Sequence, residues 1–342
     1  MNELQLTYSP YILRLKKPFT TSKSTIIERK GFIIRIKNQN RLEGIGDSCP
    51  FPDFGSESFE EAEAVFKKIK FGLKINFDNF RESLNANLTE FEKTPALRHG
   101  IEQAVLNLIC KEKQTTINEL LKLKLKNEIE VNAAIGFNTV VESVRIAKEF
   151  IKQGFKTLKI KCGRNDFNEE LECLKGIRNE TGDEIKLRID VNGKWNINQA
   201  IHNLKAMESL ELEYAEQPVS NLTEMKELKK NCQILIAADE SVRTKDDAKK
   251  IINEKAADVL ILKPMMIGGL LPTLEIIDLA QKNKVECVVT SSFESAIGRT
   301  NAVIAASYTH NNMAHGLAVK NFFTNDLIED QFPVHAGKIK LN

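Results

Sequence analysis

From about residue 126 onward, short apolar segments alternate with longer amphipathic ones, and this alternation constrains the fold more than any other feature of the chain. The amphipathic segments have the periodicity of helices, and a repeated strand–helix pattern is typical of a parallel sheet covered by helices. Eight such strands are the number that closes a (β/α) barrel. We predict the strands at 129–134, 156–161, 186–190, 212–215, 235–238, 258–262, 285–290 and 313–317.

The first 125 residues follow a different pattern. Residues 5–47 alternate, are rich in β-branched side chains and contain a turn signal near Asn38–Asn40, which predicts an antiparallel meander. Helical periodicity follows, with a capping box from Ser58 to Glu61. The fold class predicted is therefore α/β, a modified (β/α) TIM-type barrel at 126–317 with an α+β capping domain. That domain is formed by residues 1–125 and the returning tail 318–342.

Charged side chains stand at the carboxyl ends of five consecutive predicted strands, which is the edge where barrel enzymes carry their active sites. From the second strand onward they lie 29, 26, 23 and 24 residues apart, about one strand–helix unit each time. We therefore expect them side by side around one mouth. They are Lys159 and Lys161 on the second strand, then Asp190, Glu216, Asp239 and Lys263 on the third to the sixth.

The three acids predict a metal site. Carboxylates on three consecutive strands repel one another unless a cation lies between them, and hard oxygen ligands of this kind suit one Mg²⁺, with Mn²⁺ as a substitute. We therefore predict Asp190, Glu216 and Asp239 as the ligands of a divalent cation. A metal bound to a substrate carboxylate would stabilise the enediolate that forms when the α-proton leaves.

The lysines predict acid–base chemistry around that metal. Their strands, the second and the sixth, lie opposite each other in a ring of eight, so one substrate fits between Lys161 and Lys263. An ammonium group among apolar walls and beside a second ammonium is partly neutral, which predicts Lys161 as a base with Lys159 as its charged neighbour. A covalent Schiff base on Lys263 and a barrel that binds ligands without catalysis remain the competing hypotheses.

Three other residues allow two interpretations each. Asn192 either assists substrate binding near the metal or caps a turn. Gly268 belongs to a Gly-Gly pair that indicates either an anion site at a helix start or a simple turn. For His315 we favour a structural histidine over a catalytic base.

The composition limits the kinds of molecule that the protein is expected to bind. Lysine and arginine number 49 against 47 aspartate and glutamate, so the net charge of +2 does not indicate binding to nucleic acid or to an anionic membrane. The six cysteines form no C-x-x-C motif, and neither a signal peptide nor a spanning segment is evident, which favours a soluble protein of the reducing cytoplasm. A small-molecule carboxylate is the expected partner, and a homo-oligomer stays open.

The motifs KIK, RIDVN, EYAEQP, AADES and ILKP, followed by SSFESAIG, resemble in this order the muconate lactonizing subgroup of the enolase superfamily. The resemblance covers nearly the whole chain. It implies a cap domain on a modified barrel, Mg²⁺ on Asp190, Glu216 and Asp239, and acid–base roles for Lys161 and Lys263.

Within that subgroup, PFTTSKSTIIERKGFIIRI, FPDFGSESFEEA and HGLAVKNFFTNDL look most like the o-succinylbenzoate synthases, lyases of menaquinone and phylloquinone biosynthesis. This implies that Lys161 removes the α-proton of 2-succinyl-6-hydroxy-2,4-cyclohexadiene-1-carboxylate, that water is lost, and that Lys263 stays protonated. It also implies a cap loop over the succinyl arm and hydroxyl groups that bind the arm. The loop residues are Phe19, Thr21 and Lys23, and the hydroxyl residues are Ser291 and Ser292.

Dipeptide epimerases and N-acylamino acid racemases of the same superfamily are the alternative, because two opposed lysines suit them equally well. Dipeptide epimerases usually place two aspartates at the end of the eighth strand, where they bind the substrate's ammonium group. The corresponding segment here, HGLAVKN, has no carboxylate, which disfavours a cationic substrate end. Val319 stands where synthases often have threonine, so contacts in that corner stay open.

Overall fold

In this computed structural model, the residues described are 2–20, 25–68, 73–319 and 322–341. The N-terminal part is a four-stranded antiparallel sheet, in the order β3-β2-β1-β4, with helices packed on it. Its strands are β1 (Asn2–Thr20), β2 (Thr25–Lys37), β3 (Glu43–Ser48) and β4 (Leu73–Ile75). Its helices are α1 (Phe59–Lys68), α2 (Phe80–Leu88), α3 (Pro95–Glu112) and α4 (Ile117–Leu121).

The alternation of the meander decides which face of this sheet is buried. Phe32, Ile34 and Ile36 of β2 are completely buried on one face, because successive side chains of a strand point to opposite sides. The capping box is formed, since the Ser58 amide donates to Glu61 Oε2 at 2.7 Å and the Glu61 amide donates to Ser58 Oγ at 3.1 Å. The local signals therefore predicted this part well.

The remainder of the chain is a parallel sheet of seven strands, in the order β12-β11-β10-β9-β8-β7-β6, with helices around it. Strand β5 (Glu128–Glu130) precedes this sheet and stands outside it. The strands of the sheet are β6 (Ala133–Ile135), β7 (Thr157–Lys161), β8 (Lys186–Asp190), β9 (Leu212–Glu216), β10 (Ile236–Ala238), β11 (Val259–Leu262) and β12 (Glu286–Val289). The helices are α5 (Val140–Lys152), α6 (Phe167–Thr181), α7 (Ile197–Ala206), α8 (Leu222–Asn231), α9 (Lys245–Glu254), α10 (Pro264–Ile267), α11 (Leu270–Lys282) and α12 (Ala296–Tyr308).

The eighth predicted strand, 313–317, closes the barrel only through single bridges. His315 bridges Val131 on one side and Gly316 bridges Thr290 on the other, both in parallel orientation. The seven-stranded sheet is thus curled into a modified (β/α) barrel, and the N-terminal sheet with its helices caps it. The fold class predicted from the sequence is confirmed, although the last segment is shorter than expected.

The first predicted barrel strand is divided, which is a second difference. Its beginning, β5, pairs antiparallel with the tail, where Ile129 lies opposite Ile339, and only β6 belongs to the seven-stranded sheet. The division follows from the tail hairpin, because the Val131 amide donates to the Gly337 carbonyl at 2.9 Å instead of to a barrel neighbour. The hairpin consists of β13 (Val334–His335) and β14 (Lys338–Lys340).

A buried arginine ties the interior of the barrel to its closing segment. Arg188 is completely buried, and its Nε lies 2.5 Å from Glu213 Oε2. One of its terminal nitrogens donates to the Ala314 carbonyl at 2.6 Å and to Asn132 Oδ1 at 3.3 Å. Its guanidinium also lies 4.6 Å from the ring centre of Tyr214.

In the part of the chain described, no helix is both long and apolar enough to cross a membrane.

The Arg188→Met variant is expected to lose about 1–3 kcal/mol of unfolding free energy, because it leaves the buried Ala314 carbonyl without its donor, while Glu213 keeps its ion pair with Lys186. The control is Arg145→Met, which removes exposed helix pairs and is expected to cost about 0–1 kcal/mol. Urea unfolding of both variants measures the difference, and similar losses in the two would contradict a structural role for Arg188.

Candidate active site

The carboxyl ends of the barrel strands bring the predicted charged residues together. Lys161, Asp190 and Glu216 are register partners on the adjacent strands β7, β8 and β9. Asp239 directly follows β10 and Lys263 directly follows β11, so both stand at the same edge. Most residues of these strands are buried, and parallel pairing places every carboxyl end on one side of the barrel.

Lys159 lies between two carboxylates. Its Nζ is 2.6 Å from Glu216 Oε1 and 2.9 Å from Asp190 Oδ2. Burial alone would lower the pKa of this ammonium group, but the two carboxylates hold it well above its usual range. The same contact acts on Asp190: burial opposes ionisation, yet Lys159 and Lys161 keep the pKa of Asp190 well below normal.

Lys161 faces a carboxylate and an amide. Its Nζ is 2.7 Å from Asp190 Oδ2 and 2.7 Å from Asn192 Oδ1. Asn192 in turn donates from Nδ2 to Glu240 Oε1 at 2.9 Å. The nearest partners of each lysine are therefore oxygen atoms, whereas the sequence predicts Lys159 as the group that acts on Lys161.

Lys263 approaches the mouth from the other side of the barrel. Its ammonium group forms an ion pair with Asp239 and lies 5.1 Å from the centre of the Phe54 ring. Phe54 belongs to the cap, and its carbonyl accepts a hydrogen bond from Arg243, which follows β10. Both amines thus reach one cavity, and the cap contributes an aromatic wall above Lys263.

The cavity at the mouth has a volume of about 110 Å³. Its wall includes the three lysines, two of the three acids and several residues of the cap and tail. The lining residues outside the predicted site are Asp53, Phe54, Asn132, Ala134, Glu240, Val242, Arg243, Met266, Thr290, Phe293, Gly316, Ala318, Val319 and Phe322. The contact of the FPDFG run after β3 with the barrel could not be predicted, because it depends on how the cap is placed.

The carboxylates have buried oxygen atoms that a divalent cation could bind, but their side chains are not gathered around one point. Asp190 Oδ1 and Glu216 Oε2 are buried and have no hydrogen-bond partner, and a buried anionic oxygen without a partner is costly. Burial, together with the nearby charges of Asp190 and Asp239, raises the pKa of Glu216 to about 8. The charges of Asp190 and Asp239 therefore act on Glu216. As they stand, no three metal-ligating side chains within the described ranges are gathered closely enough to hold an ion.

The predicted substrate-binding residues divide into three groups. Phe19, Asn192 and Ser291 line the cavity, whereas Ser292 does not. Ser291 donates from its hydroxyl to Glu294 at 3.0 Å. Thr21 and Lys23 lie outside the residues that the structure describes.

Gly268 also lies away from the cavity, at the contact between the cap and the barrel. Arg98 of α3 donates to the Gly268 carbonyl. The carboxylate of Glu102 accepts from the Leu271 amide at 3.0 Å in the first turn of α11. A Cβ atom at Gly269 would stand only 2.4 Å from this carboxylate. The helix start that suggested an anion site is thus occupied by a side chain of the cap.

A second buried acid of the cap holds the loop after β12. Asp47 is completely buried and accepts hydrogen bonds from the Tyr11 hydroxyl at 2.7 Å and from the Ser295 amide and hydroxyl at 3.0 and 2.6 Å. Burial raises its pKa to about 6. The loop held in this way carries Ser291 and Phe293 into the cavity wall.

His315 does not reach the cavity and is held as a neutral ring. Its Nδ1 accepts from the Val289 amide at 3.0 Å, and its Nε2 is 3.3 Å from the Thr309 hydroxyl. Burial, with the charges of Lys126 and Arg188, lowers its pKa to about 3. The structure agrees with the preference for a structural histidine.

Because the pKa of His315 is lower in the folded protein than its ordinary value of 6.5, its contribution to stability is complete above pH 6.5 and is lost as the pH falls. Between pH 7 and pH 5 we expect the free energy of unfolding to fall by about 2 kcal/mol more in the wild type than in His315→Asn. Urea unfolding at both pH values checks this. A constant difference between the two proteins would contradict a buried neutral ring.

Comparisons with known proteins agree with this geometry. The model of the family described as enolase C-terminal domain-like matches residues 142–342. An L-Ala-D/L-Glu epimerase of Francisella tularensis subsp. novicida is 28% identical over 290 residues, which are 83% of this chain and 81% of that protein. Other dipeptide epimerases match at comparable identity over most of their length. The solved dipeptide epimerase of Enterococcus faecalis, complexed with Mg and the dipeptide L-Leu-L-Tyr, has a TM-score of 0.90 and 26% identity, covering 100% of this chain and 98% of that one.

These matches correct the expected reaction class. An o-succinylbenzoate synthase of Thermobifida fusca is 31% identical, but only over 215 residues, or 62% of this chain and 66% of that protein. The relatives that match over more of the chain are epimerases, and the solved structures that do so include dipeptide epimerases and an N-succinyl Arg/Lys racemase; epimerases and racemases are isomerases. The prediction of a lyase is therefore wrong. With the match to the family model over most of the barrel, the chain belongs to the enolase C-terminal domain-like family.

Proposed function

We propose that this protein inverts the configuration of the α-carbon beside the carboxylate of an N-acylated amino acid, with dipeptides as the first candidate class. One observation carries the proposal. Lys161 and Lys263 come from opposite strands, reach the same cavity and are each held by a different carboxylate. An inversion requires a group that removes a proton on one side of a carbon and another that returns a proton on the opposite side.

In the mechanism, the α-carbon of the substrate lies between the two amines. Lys161, as a neutral amine, removes the α-proton of one epimer through Nζ, and the Lys263 ammonium group delivers a proton to the other face; for the opposite epimer the two lysines exchange these roles. Asn192 orients Lys161 by accepting its N–H at 2.7 Å. Phe54, above the Lys263 ammonium, excludes water from that side.

Asp190, Glu216 and Asp239 would hold a divalent cation such as Mg²⁺, which is present in the solved Enterococcus epimerase. When bound, it would supply positive charge to offset the negative charge that develops on the substrate carboxylate. Lys159, placed between two of these acids, adds a fixed positive charge close to the same position.

A simple N-acylamino acid is the second candidate substrate, and the eighth barrel segment favours it. A dipeptide carries an α-ammonium group, and a buried ammonium group needs an anionic partner. The sequence from His315 to Asn321 contains no acidic residue, so this segment offers no such partner. An acyl group without an ammonium group needs none.

Incubation of the purified protein with Mg²⁺ in D₂O tests the proposal. Proton NMR follows the α-hydrogens of L-Ala-L-Glu, L-Leu-L-Tyr and N-acetyl-L-methionine. We expect loss of the α-proton signal together with the appearance of the second epimer in at least one compound. The absence of exchange in a broad set of dipeptides and N-acylamino acids would contradict the proposal.

A further inference from the structure

The Lys161 amine is held on two sides, and this fixes the direction in which it can act. Its Nζ donates to Asp190 Oδ2 and to Asn192 Oδ1, each at 2.7 Å. A neutral amine has two N–H groups and one lone pair, so these two contacts use both N–H groups of Lys161 when it acts as a base. The lone pair is left for the remaining direction. The position of the Asn192 amide therefore helps to decide where Lys161 removes a proton.

The Asn192 amide depends on a third side chain for its own orientation. Among the described residues it has two hydrogen-bond partners: Oδ1 accepts from Lys161, and Nδ2 donates to Glu240 Oε1 at 2.9 Å. An ammonium group only donates hydrogen bonds and a carboxylate only accepts them, so these two neighbours allow one orientation of the amide. Glu240 thereby keeps the amide nitrogen of Asn192 turned away from Lys161 and the amide oxygen turned towards it.

The backbone that carries Glu240 is held on both sides. Glu240 follows Asp239 in the loop after β10. The Asp239 and Ser241 amides donate to Oε1 of the buried Gln217 at 3.0 and 3.3 Å. From this support the carboxylate reaches past β9, the strand between, to Asn192 in the loop after β8. The contact therefore joins two loops of the barrel mouth that are not neighbours in the sheet.

The stability of the fold does not explain this carboxylate. In the part of the chain that the structure describes, the second oxygen of Glu240, Oε2, is buried without a hydrogen-bond partner. The guanidinium of Arg243 donates to the backbone carbonyls of Glu240 and Phe54 and not to the carboxylate. A buried anionic oxygen without a partner destabilises a fold, and groups of this kind are concentrated at functional sites. Glu240 also lines the cavity between the two amines.

The two adjacent acids of this loop serve different lysines. Asp239 forms an ion pair with Lys263, on one side of the cavity. Glu240 binds Asn192, which in turn binds Lys161, on the other side. The removal of the Glu240 carboxylate is therefore expected to disturb one amine and to leave the other in place.

We propose that Glu240 is a positioning residue for Lys161 and acts on it through the amide of Asn192. This inference rests on the proposed function, because it concerns the same inversion at the same site. Glu240 takes no proton from the substrate. It holds the amide so that the lone pair of the neutral Lys161 amine, or the third N–H of its ammonium form, points to the α-carbon between the two lysines.

The variant Glu240→Leu removes the acceptor and tests the inference in the full-length protein with Mg²⁺. The substrate is whichever of L-Ala-L-Glu, L-Leu-L-Tyr and N-acetyl-L-methionine the wild type exchanges fastest. We expect kcat/KM for inversion to fall about tenfold in both directions, mainly through kcat, because one hydrogen bond that orients Lys161 is lost. The factor is the same in both directions because the equilibrium between the epimers does not change.

Exchange of the α-hydrogen in D₂O shows which amine is affected. In Glu240→Leu it should slow about tenfold for the epimer that Lys161 deprotonates and stay close to the wild-type rate for the epimer that Lys263 deprotonates. The loss of exchange in Lys161→Ala and in Lys263→Ala assigns the two epimers. Retained exchange through Lys263 also shows that the variant is folded. The matched control Glu227→Leu, an exposed acid on α8, should keep all wild-type rates.

Two further variants separate the hydrogen bond from the charge. Glu240→Gln keeps an oxygen that accepts from Asn192 and should recover most of the exchange rate that Glu240→Leu loses. The double variant Asn192→Ala/Glu240→Leu should be no slower than Asn192→Ala alone, because residues that act in one chain of contacts are not additive.

Four results would each overturn the inference while the proposed function stands: no slowing in Glu240→Leu, equal slowing of exchange for both epimers, a Glu240→Gln protein as slow as Glu240→Leu, or additive losses in the double variant. If the wild type exchanges the α-hydrogen of none of the three compounds nor of any other dipeptide or N-acylamino acid, the proposed function fails and the inference fails with it.

Discussion

Replacing Lys161 with alanine is expected to lower kcat/KM for epimerisation by about 10²–10⁴-fold, the usual contribution of a positioned acid or base. The Lys161 ammonium group is held at 2.7 Å by both Asp190 and Asn192, so its position in the cavity is fixed and no flexible neighbour replaces it. Lys263→Ala is expected to show a loss of similar size, because inversion needs both amines.

Isotope exchange separates a catalytic from a structural effect. Each single variant should still exchange the α-hydrogen of one epimer with D₂O, and the epimer should differ between Lys161→Ala and Lys263→Ala. The matched control is Lys156→Ala, at the amino-terminal end of the same stretch of chain, where the side chain is exposed. Equal exchange of both epimers by either variant would show that the two lysines do not act on opposite faces.

The positions of these lysines and acids could be predicted because the strand–helix repeat is regular. In a parallel barrel every carboxyl end lies at one edge, so residues 23 to 29 positions apart in the sequence become neighbours without any knowledge of loops. The register confirms this for Lys161, Asp190 and Glu216. The roles of these side chains stay predictions, which the variants above test.

The contacts between the side chains could not be predicted from spacing. The sequence placed Lys159 and Lys161 on one strand and suggested that their charges act on each other. In the fold, Asp190 Oδ2 stands between them at 2.9 and 2.7 Å, because the neighbouring strand brings its last residue into register. The contact of Phe54 with Lys263 was equally hidden, since it depends on how the cap lies on the barrel.

The prediction of the reaction class was wrong, and the cause is physical. Proton removal beside a carboxylate uses the same lysines and acids whether a leaving group departs or a proton returns, so the strand ends do not distinguish a lyase from an epimerase. The distinction lies in what surrounds the rest of the substrate, and short motifs such as SSFESAIG carry little information about those surroundings.

Addition of Mg²⁺ is expected to stabilise the folded protein, by about 2.7 kcal/mol at a concentration 100 times the dissociation constant, and chelation should abolish turnover. The expectation depends on Asp190 Oδ1 and Glu216 Oε2, which are buried and lack partners. Glu216→Gln should abolish most of the stabilisation. Glu172→Gln, an exposed acid on α6, should leave it intact. Equal stabilisation of both variants would place the metal elsewhere.

The pH dependence of binding gives a sharper test of the same site. Burial, with the charges of Asp190 and Asp239, raises the pKa of Glu216 to about 8, so a proton competes for this carboxyl group near neutral pH. A cation bound by the carboxylate form must displace that proton, and the affinity for Mg²⁺ should therefore be higher at pH 8 than at pH 6. Calorimetric titrations at pH 7 in buffers of different ionisation enthalpy should show that binding of the ion releases protons. An affinity for Mg²⁺ that does not change with pH, with no proton released, would show that Glu216 does not bind the metal.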